Sequence, residues 1–193
     1  MIRLKRLPLT LVALLLGAPS VWAAVSWTSP GPTVPAVELS DQDGRARQLA
    51  ALIGHRPVLV SFFFTACARI CPPQTALLRE VQEELNRRRP TEPPLLLSIS
   101  LNPLADTPPA LRAYAALFDA RLGERDGWLM LTGSSDALAP VWKAFDADGA
   151  DPNQHADTLW IGHPGSRQWT RASALSAEVT AARLADLLLD AAP

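Results

Sequence analysis

Cys67 and Cys71 are the only cysteines in the 193-residue chain, and they stand in "FTACARICPP" with three residues between them. Thiols this close can form a structural disulfide, act as a redox couple or clamp a metal ion. A disulfide closing so short a loop removes little entropy from the unfolded chain. One such bridge is also no framework for a domain of this length, so the structural disulfide is the weakest reading. Pro72 bears on the other two. The residue before a proline is pushed out of helical geometry, and proline suits the first position of a helix. Cys71 is therefore expected at the start of a helix, near its positive dipole end, where thiol pKa values fall from about 8.5 toward roughly 3.5–7.5. A thiolate is both nucleophile and metal ligand, so redox and metal chemistry stay open. The spacing does not choose either. Thioredoxin-type redox pairs have two intervening residues, whereas residues four apart on a helical turn are neighbours that can clamp one ion or close a disulfide.

Two thiolates joined by an imidazole favour copper or zinc, which makes the three histidines relevant. His55, in "LIGHRPV", lies in a polar connection before a strand and reads as a surface residue. His163, in "GHPGS", reads as a turn residue. His155 ends a long polar loop and directly precedes "DTLWIG", a loop–strand junction of the kind that carries functional groups. The residues alone leave its role as a ligand open.

The elements that must position these groups follow from the hydrophobic pattern. "VELSDQDGRARQL" (37–49) reads as a strand, an Asp-Gly turn and a second strand or short helix. "PVLVSFFF" (57–64) and "PPLLLSISL" (93–101) are continuous apolar runs of the kind found in strands buried on both faces, and "WLMLTG" (128–133) is a third core strand. A helix over 74–89 places Leu77, Leu78, Val81 and Leu85 on one face. Another over 106–118 opens with Asp106 or Thr107 as its cap and prolines in its first turn; Leu111, Tyr114, Ala115 and Phe118 form its apolar side. In a helix over 135–145, Pro140 is expected to kink the helix or delay its start. "DTLWIG" and "RQWTR" read as strands joined by "HPGS". A closing helix over 176–190 buries Val179, Leu184, Leu187 and Leu188. This order predicts an α/β sandwich with a central, partly parallel sheet. A strand running straight into a cysteine pair and a helix is the thioredoxin-like arrangement.

Composition bounds the setting. Arg3, Lys5 and Arg6 precede an apolar run and the small residues Val21 and Ala23, so residues 1–24 read as a signal peptide cleaved near Ala23 or Ala24. Pro8 and Pro19 bracket a run shorter than the roughly 20 apolar residues a membrane span needs; a retained segment is the alternative and implies a membrane anchor. Export places the protein in the periplasm, where disulfides are permitted. Residues 25–35 form an extended lead-in, and 36–193 one domain with its own core. Removing the three N-terminal cations takes the formal charge from −1 to −4. Without a clustered basic patch a nucleic-acid partner is excluded. "RRR" at 87–89 reads as a helix end, where cations meet the negative dipole end.

Together these residues resemble the Sco/SenC family, thioredoxin-fold copper chaperones of cytochrome c oxidase assembly. "VELSDQDGRARQLAALIGHRPVLVSFFFTACARICP" is similar to that family's opening strand, turn and FTxCxxxCP segment. "LLLSISLNPLADTPPALRAYAALF" is similar to its second strand, Asp-Thr-Pro turn and helix, "WLMLTG" to its third strand, and "HADTLWIGHPG" to its histidine-bearing loop and strand. The resemblance implies a thioredoxin-like three-layer sandwich with a central mixed sheet and an extra N-terminal hairpin. It implies Cys67, Cys71 and His155 as ligands of copper, Cu(I) or Cu(II). It further implies a periplasmic monomer that delivers copper to the dinuclear copper centre of a respiratory oxidase. Its partners are then a copper-receiving oxidase subunit, a thiol reductant and another periplasmic copper chaperone. Two other readings remain: a thiol–disulfide oxidoreductase using Cys67 and Cys71 as a redox pair on oxidase cysteines, and a copper store or sensor. The chain departs from the family pattern at Gln154 and Asn102, where aspartates are usual, and in a shorter segment before His155. An outer carboxylate orients a ligand imidazole, and Asp157 is a candidate to replace the missing one.

Overall fold

A strand with apolar residues at nearly every position has no face to present to water and must sit mid-sheet. β3 (Val58–Phe63), β4 (Leu95–Ser100) and β5 (Trp128–Thr132) are buried throughout and pair in parallel with β4 between the other two. The computed structural model describes residues 27, 30–54, 56–147, 157–163 and 167–190. Within these, β1 (Glu38–Asp41) and β2 (Ala46–Gln48) form an N-terminal hairpin whose β1 runs antiparallel to β5. On the other side β6 (Thr158–His163) runs antiparallel to β3, and β7 (Gln168–Ser173) to β6. The result is a mixed seven-stranded sheet in the order β2-β1-β5-β4-β3-β6-β7. The α/β thioredoxin-like sandwich with an added N-terminal hairpin is thus the observed fold.

Helices cover both faces. The connections β3-α2-β4 and β4-α3-β5 step in the same direction along the sheet, so right-handed crossovers put both helices on one face. α2 (Cys71–Arg88) and α3 (Pro108–Ala116) accordingly share one core cluster with α5 (Ala181–Leu189), through Leu78, Val81, Leu111, Tyr114, Leu184 and Leu188 against Leu59, Phe63 and Trp128. α1 (Leu49–Ile53) and α4 (Ser135–Ala144) cover the opposite face, with Leu49, Ile53, Leu138, Val141 and Phe145 against Val60, Leu97 and Leu131.

Several local expectations are corrected. The apolar face expected over 74–89 belongs to a helix that starts at Cys71, and its buried side holds Gln74, Thr75 and Gln82 beside Leu78, Val81 and Leu85, while Leu77 is half-buried. It ends where Arg89 turns left-handed at φ 47°. Pro140 neither delays α4 nor ends it: the helix starts at Ser135, with Ser134 accepting from the Ala137 N–H at 3.2 Å. The closing helix is shorter than 176–190, because Thr180 caps it by accepting from the Arg183 N–H at 3.2 Å. His163 is the last residue of β6 rather than a turn residue; it is buried, with Nε2 2.7 Å from the Leu187 carbonyl and its ring edge-on to Trp27 at 5.4 Å. Of the other singled-out residues, His55, Gln154, His155 and the expected signal segment lie outside the described residues.

Strand pairing also explains a glycine. Gly162 and Trp169 are cross-strand partners, and a Cβ at 162 would lie 2.5 Å from the Trp169 ring. Gly162→Ala forces that ring out of its packing with Phe145 and Trp160. Overpacking of this kind lowers stability by about 1–3 kcal/mol, read as a lower urea midpoint; an unchanged midpoint contradicts the packing described.

Candidate metal and thiol centre

The site lies where β3 and β4 end. Past Phe63 the chain turns tightly, with the Cys67 N–H donating to the Phe64 carbonyl at 3.1 Å, and then enters α2 at Cys71. The first residues of any helix carry N–H groups with no intrahelical acceptor. Here two of those positions are Pro72 and Pro73, which have no N–H to give. The N–H of Cys71 remains, and it donates to the Cys67 sulfur at 3.3 Å. No side chain caps the helix from Ile70, the usual capping position. The thiol four residues upstream takes that role.

This geometry separates the two cysteines. Cys71 is fully buried in the core beneath α2 and α5, and Cys67 is half-buried at the surface of the same cluster. Burial works against ionisation of Cys67. Hydrogen bonds from the Cys71 thiol and from the backbone N–H groups of Cys71, Arg69 and Ile70 outweigh it, and the Cys67 thiol lies below its ordinary value. Burial pushes the Cys71 thiol well up, helped by its hydrogen bond to Cys67 and by the negative charges of Cys67 and Asp106. The expectation that Cys71 stands at a helix start holds. The stabilised thiolate is nevertheless Cys67, because the dipole end faces the sulfur outside the helix while the Cys71 side chain turns into the core.

Four further residues tie together the elements around the pair, in contacts that pattern reading did not assign to them. Asp106, with Thr107, was a candidate helix cap. The structure gives the cap to Thr107, which accepts from the Ala110 N–H at 3.4 Å. Asp106 turns inward, is fully buried, and accepts from the Thr65 N–H at 2.9 Å, the Thr65 hydroxyl at 2.6 Å and the Ser100 hydroxyl at 2.6 Å. Gln74, buried one turn into α2, donates to the Phe62 carbonyl at 3.0 Å and so ties the helix to β3. Thr75 and Tyr114 share a hydroxyl contact of 2.9 Å that joins α2 to α3, and burial raises the Tyr114 phenol well above its usual range. The legible signals were two candidate caps in "ADTPP", of which a helix uses one, and a glutamine on an apolar helix face.

Among the described residues no third His, Cys, Asp or Glu completes a metal-binding cluster with the two cysteines. His155 lies outside those residues. Asp157 accepts from the Ser173 hydroxyl and the Leu175 N–H through Oδ2, clasping β6 to the segment after β7. Among the described residues no helix is long and apolar enough to cross a membrane.

The profile of the SCO1/SenC family matches residues 28–166. The chain is 30% identical over 134 residues to the SCO1 protein homolog of Bacillus subtilis, covering 66% of each. It is 28% identical over 133 residues to a Stutzerimonas stutzeri protein named as a candidate copper-binding protein, covering 69% of this chain and 61% of that one. It thus spans less than two thirds of the length of these relatives. Among solved structures it resembles BsSco, a member of the Sco family of cytochrome c oxidase assembly proteins in which a disulfide switch is identified, with TM-score 0.66 and 25% identity over 81% of this chain and 92% of that one. It shares its fold with Bradyrhizobium japonicum ScoI with copper bound, at TM-score 0.62 and 22% identity over 82% and 96% of the two chains.

The asymmetry of the pair has a direct readout. In the reduced protein iodoacetamide is expected to label Cys67 and spare Cys71, with the half-maximal rate at a pH below that of an ordinary thiol. Peptide mass spectrometry across a pH series checks both; preferential labelling of Cys71 contradicts the assignment.

Proposed function

The chain belongs to the SCO1/SenC family, and on that premise we propose that it is an exported copper-binding chaperone that passes copper to the dinuclear copper centre of a respiratory cytochrome oxidase. The observation that carries this reading is the sulfur pair: Cys67 at the surface under a helix N-terminus, Cys71 directly behind it. Two thiolates suit Cu(I), and an imidazole in the set suits Cu(II) as well. His155 is the proposed third ligand. The basic and apolar N-terminal run supports export to the periplasm, and the named functions of the relatives support copper as the cargo.

The pair divides the work of loading. Cys67 meets the incoming ion, because its sulfur is reachable and its thiolate is favoured. Cys71 becomes a ligand only by losing its proton, which burial opposes until the cation supplies the compensating charge. Copper binding therefore expels the Cys71 proton. In release, a recipient's ligands reach the ion from the Cys67 side and reprotonation of Cys71 favours departure.

A second reading rests on the same asymmetry. In a thiol–disulfide oxidoreductase acting on oxidase cysteines, the Cys67 thiolate attacks a substrate disulfide and displaces one thiolate. The Cys71 thiol, losing its proton, then attacks the Cys67 sulfur of the mixed disulfide, forms the Cys67–Cys71 bond and releases the second substrate thiol. This reading needs no His155.

Anaerobic titration of the reduced protein separates the two. Stoichiometric Cu(II) binding with thiolate charge-transfer absorption is expected, and its absence overturns the copper reading. His155→Ala is expected to weaken Cu(II) binding by at least about tenfold while dithiol–disulfide exchange is retained; equal binding removes His155 from the site. Because the Cys71 proton is expelled, Cu(I) affinity falls by about tenfold per unit of acidification where Cys67 is already ionised. It falls more steeply once Cys67 protonates too. Competition titrations against a chelator at several pH values test this, and a pH-independent affinity contradicts it.

A further inference from the structure

We propose that Asp106 is a positioning residue for Cys67, its buried carboxylate latching the cysteine loop to the end of β4. The inference rests on the reading of Cys67 as the reactive sulfur. Thr65 stands two residues before Cys67, in the turn that closes on Phe64. Its N–H and its hydroxyl both end on Asp106 Oδ1, at 2.9 and 2.6 Å. On the far side the Ser100 hydroxyl accepts the Asn102 N–H at 3.0 Å and gives its own proton to Asp106 Oδ2 at 2.6 Å. Asp106 itself is held by its N–H, which donates to the Asn102 carbonyl at 2.9 Å. One side chain thus joins the loop after β3, the last residue of β4 and the turn before α3.

The chemistry of the latch calls for a carboxylate. Donors arrive at both oxygens, and an ionised carboxylate accepts at both while an amide presents an N–H₂ on one side. The three donors, the Thr65 N–H and the hydroxyls of Thr65 and Ser100, are neutral, so hydrogen bonds alone hold the carboxyl group in the interior. Burying a charge is costly unless such bonds are complete; bonds to an ionised acceptor are correspondingly strong and short. A loop held this firmly keeps the Cys67 sulfur in line with the Cys71 N–H. The latch lies beside the sulfur pair without supplying a ligand, so it acts on the copper-free protein as well.

The test is the equilibrium between the reduced pair and its disulfide in a dithiol buffer, measured without copper. Thr65→Val removes one arm without changing charge. It is expected to shift that equilibrium about threefold toward the disulfide, since the reduced Cys67 loses part of its placement. Thr65→Ser keeps the hydroxyl and is expected to match the parent. Ser100→Ala removes the opposite arm, with a shift in the same direction, and serves if Thr65→Val does not fold. Variants with lower thermal stability but the parental equilibrium overturn the proposal, because they reduce the latch to a folding contact. The copper reading fails separately: a parent chain that binds no copper while Thr65→Val shifts the equilibrium leaves the latch standing.

Discussion

The hydrogen bond from the Cys71 N–H to the Cys67 sulfur governs the chemistry at this end of the molecule. It exists because Pro72 and Pro73 remove two of the donors a helix start offers, which concentrates that end on one acceptor. A thiol is a poor acceptor and a thiolate a good one, so the contact favours ionisation of Cys67. The same helix start carries the Cys71 side chain into the core, where ionisation is opposed. One backbone conformation therefore produces two sulfurs of opposite character. Both proposed readings draw on that difference, copper loading through proton release and disulfide exchange through attack and resolution.

The rest of the fold keeps that helix start in place. β3 and β4 are parallel neighbours, so the loops leaving their ends meet on one side of the sheet, the usual position for a site in such architectures. α2 is held along its length by Leu78, Val81 and Leu85 in the core and across to α3 by the Thr75–Tyr114 contact. Gln74 fixes its first turn to the Phe62 carbonyl. Asp106 fastens the intervening loop from outside the helix. These polar contacts sit within an otherwise apolar interior, where each is stronger than it is in water and where its loss leaves a buried group unpaired.

Position in the sheet also sets the role of His163. His163 lies at the end of β6 with its ring against Trp27 and its Nε2 on the Leu187 carbonyl. It fastens α5 and the N-terminal lead-in to the sheet. Pattern reading placed it in a turn, because "HPGS" carries turn residues; pairing with Gln168 of β7 carries β6 as far as His163.

The residue pattern by itself determined the fold class, the three buried strands, the N-terminal hairpin and the cysteine pair at a helix start. Each is a local or periodic property: apolar runs demand a mid-sheet position, and proline restricts its neighbour wherever it stands. Residue types narrowed the chemistry to thiol exchange or a soft metal, and the resemblance to a family, rather than spacing, singled out His155 as the proposed third donor. Tertiary structure alone decided which sulfur is stabilised, because that depends on which side of the helix start each one lies. It decided that Asp106 leaves the cap to Thr107 and turns inward, since the donors it meets come from Thr65 and Ser100, on other elements. It also placed Gln74 and Gln82 on the buried face of α2. Glutamine reads as a surface residue until backbone carbonyls from other parts of the chain, those of Phe62, Arg121 and Asp126, are brought to it by folding.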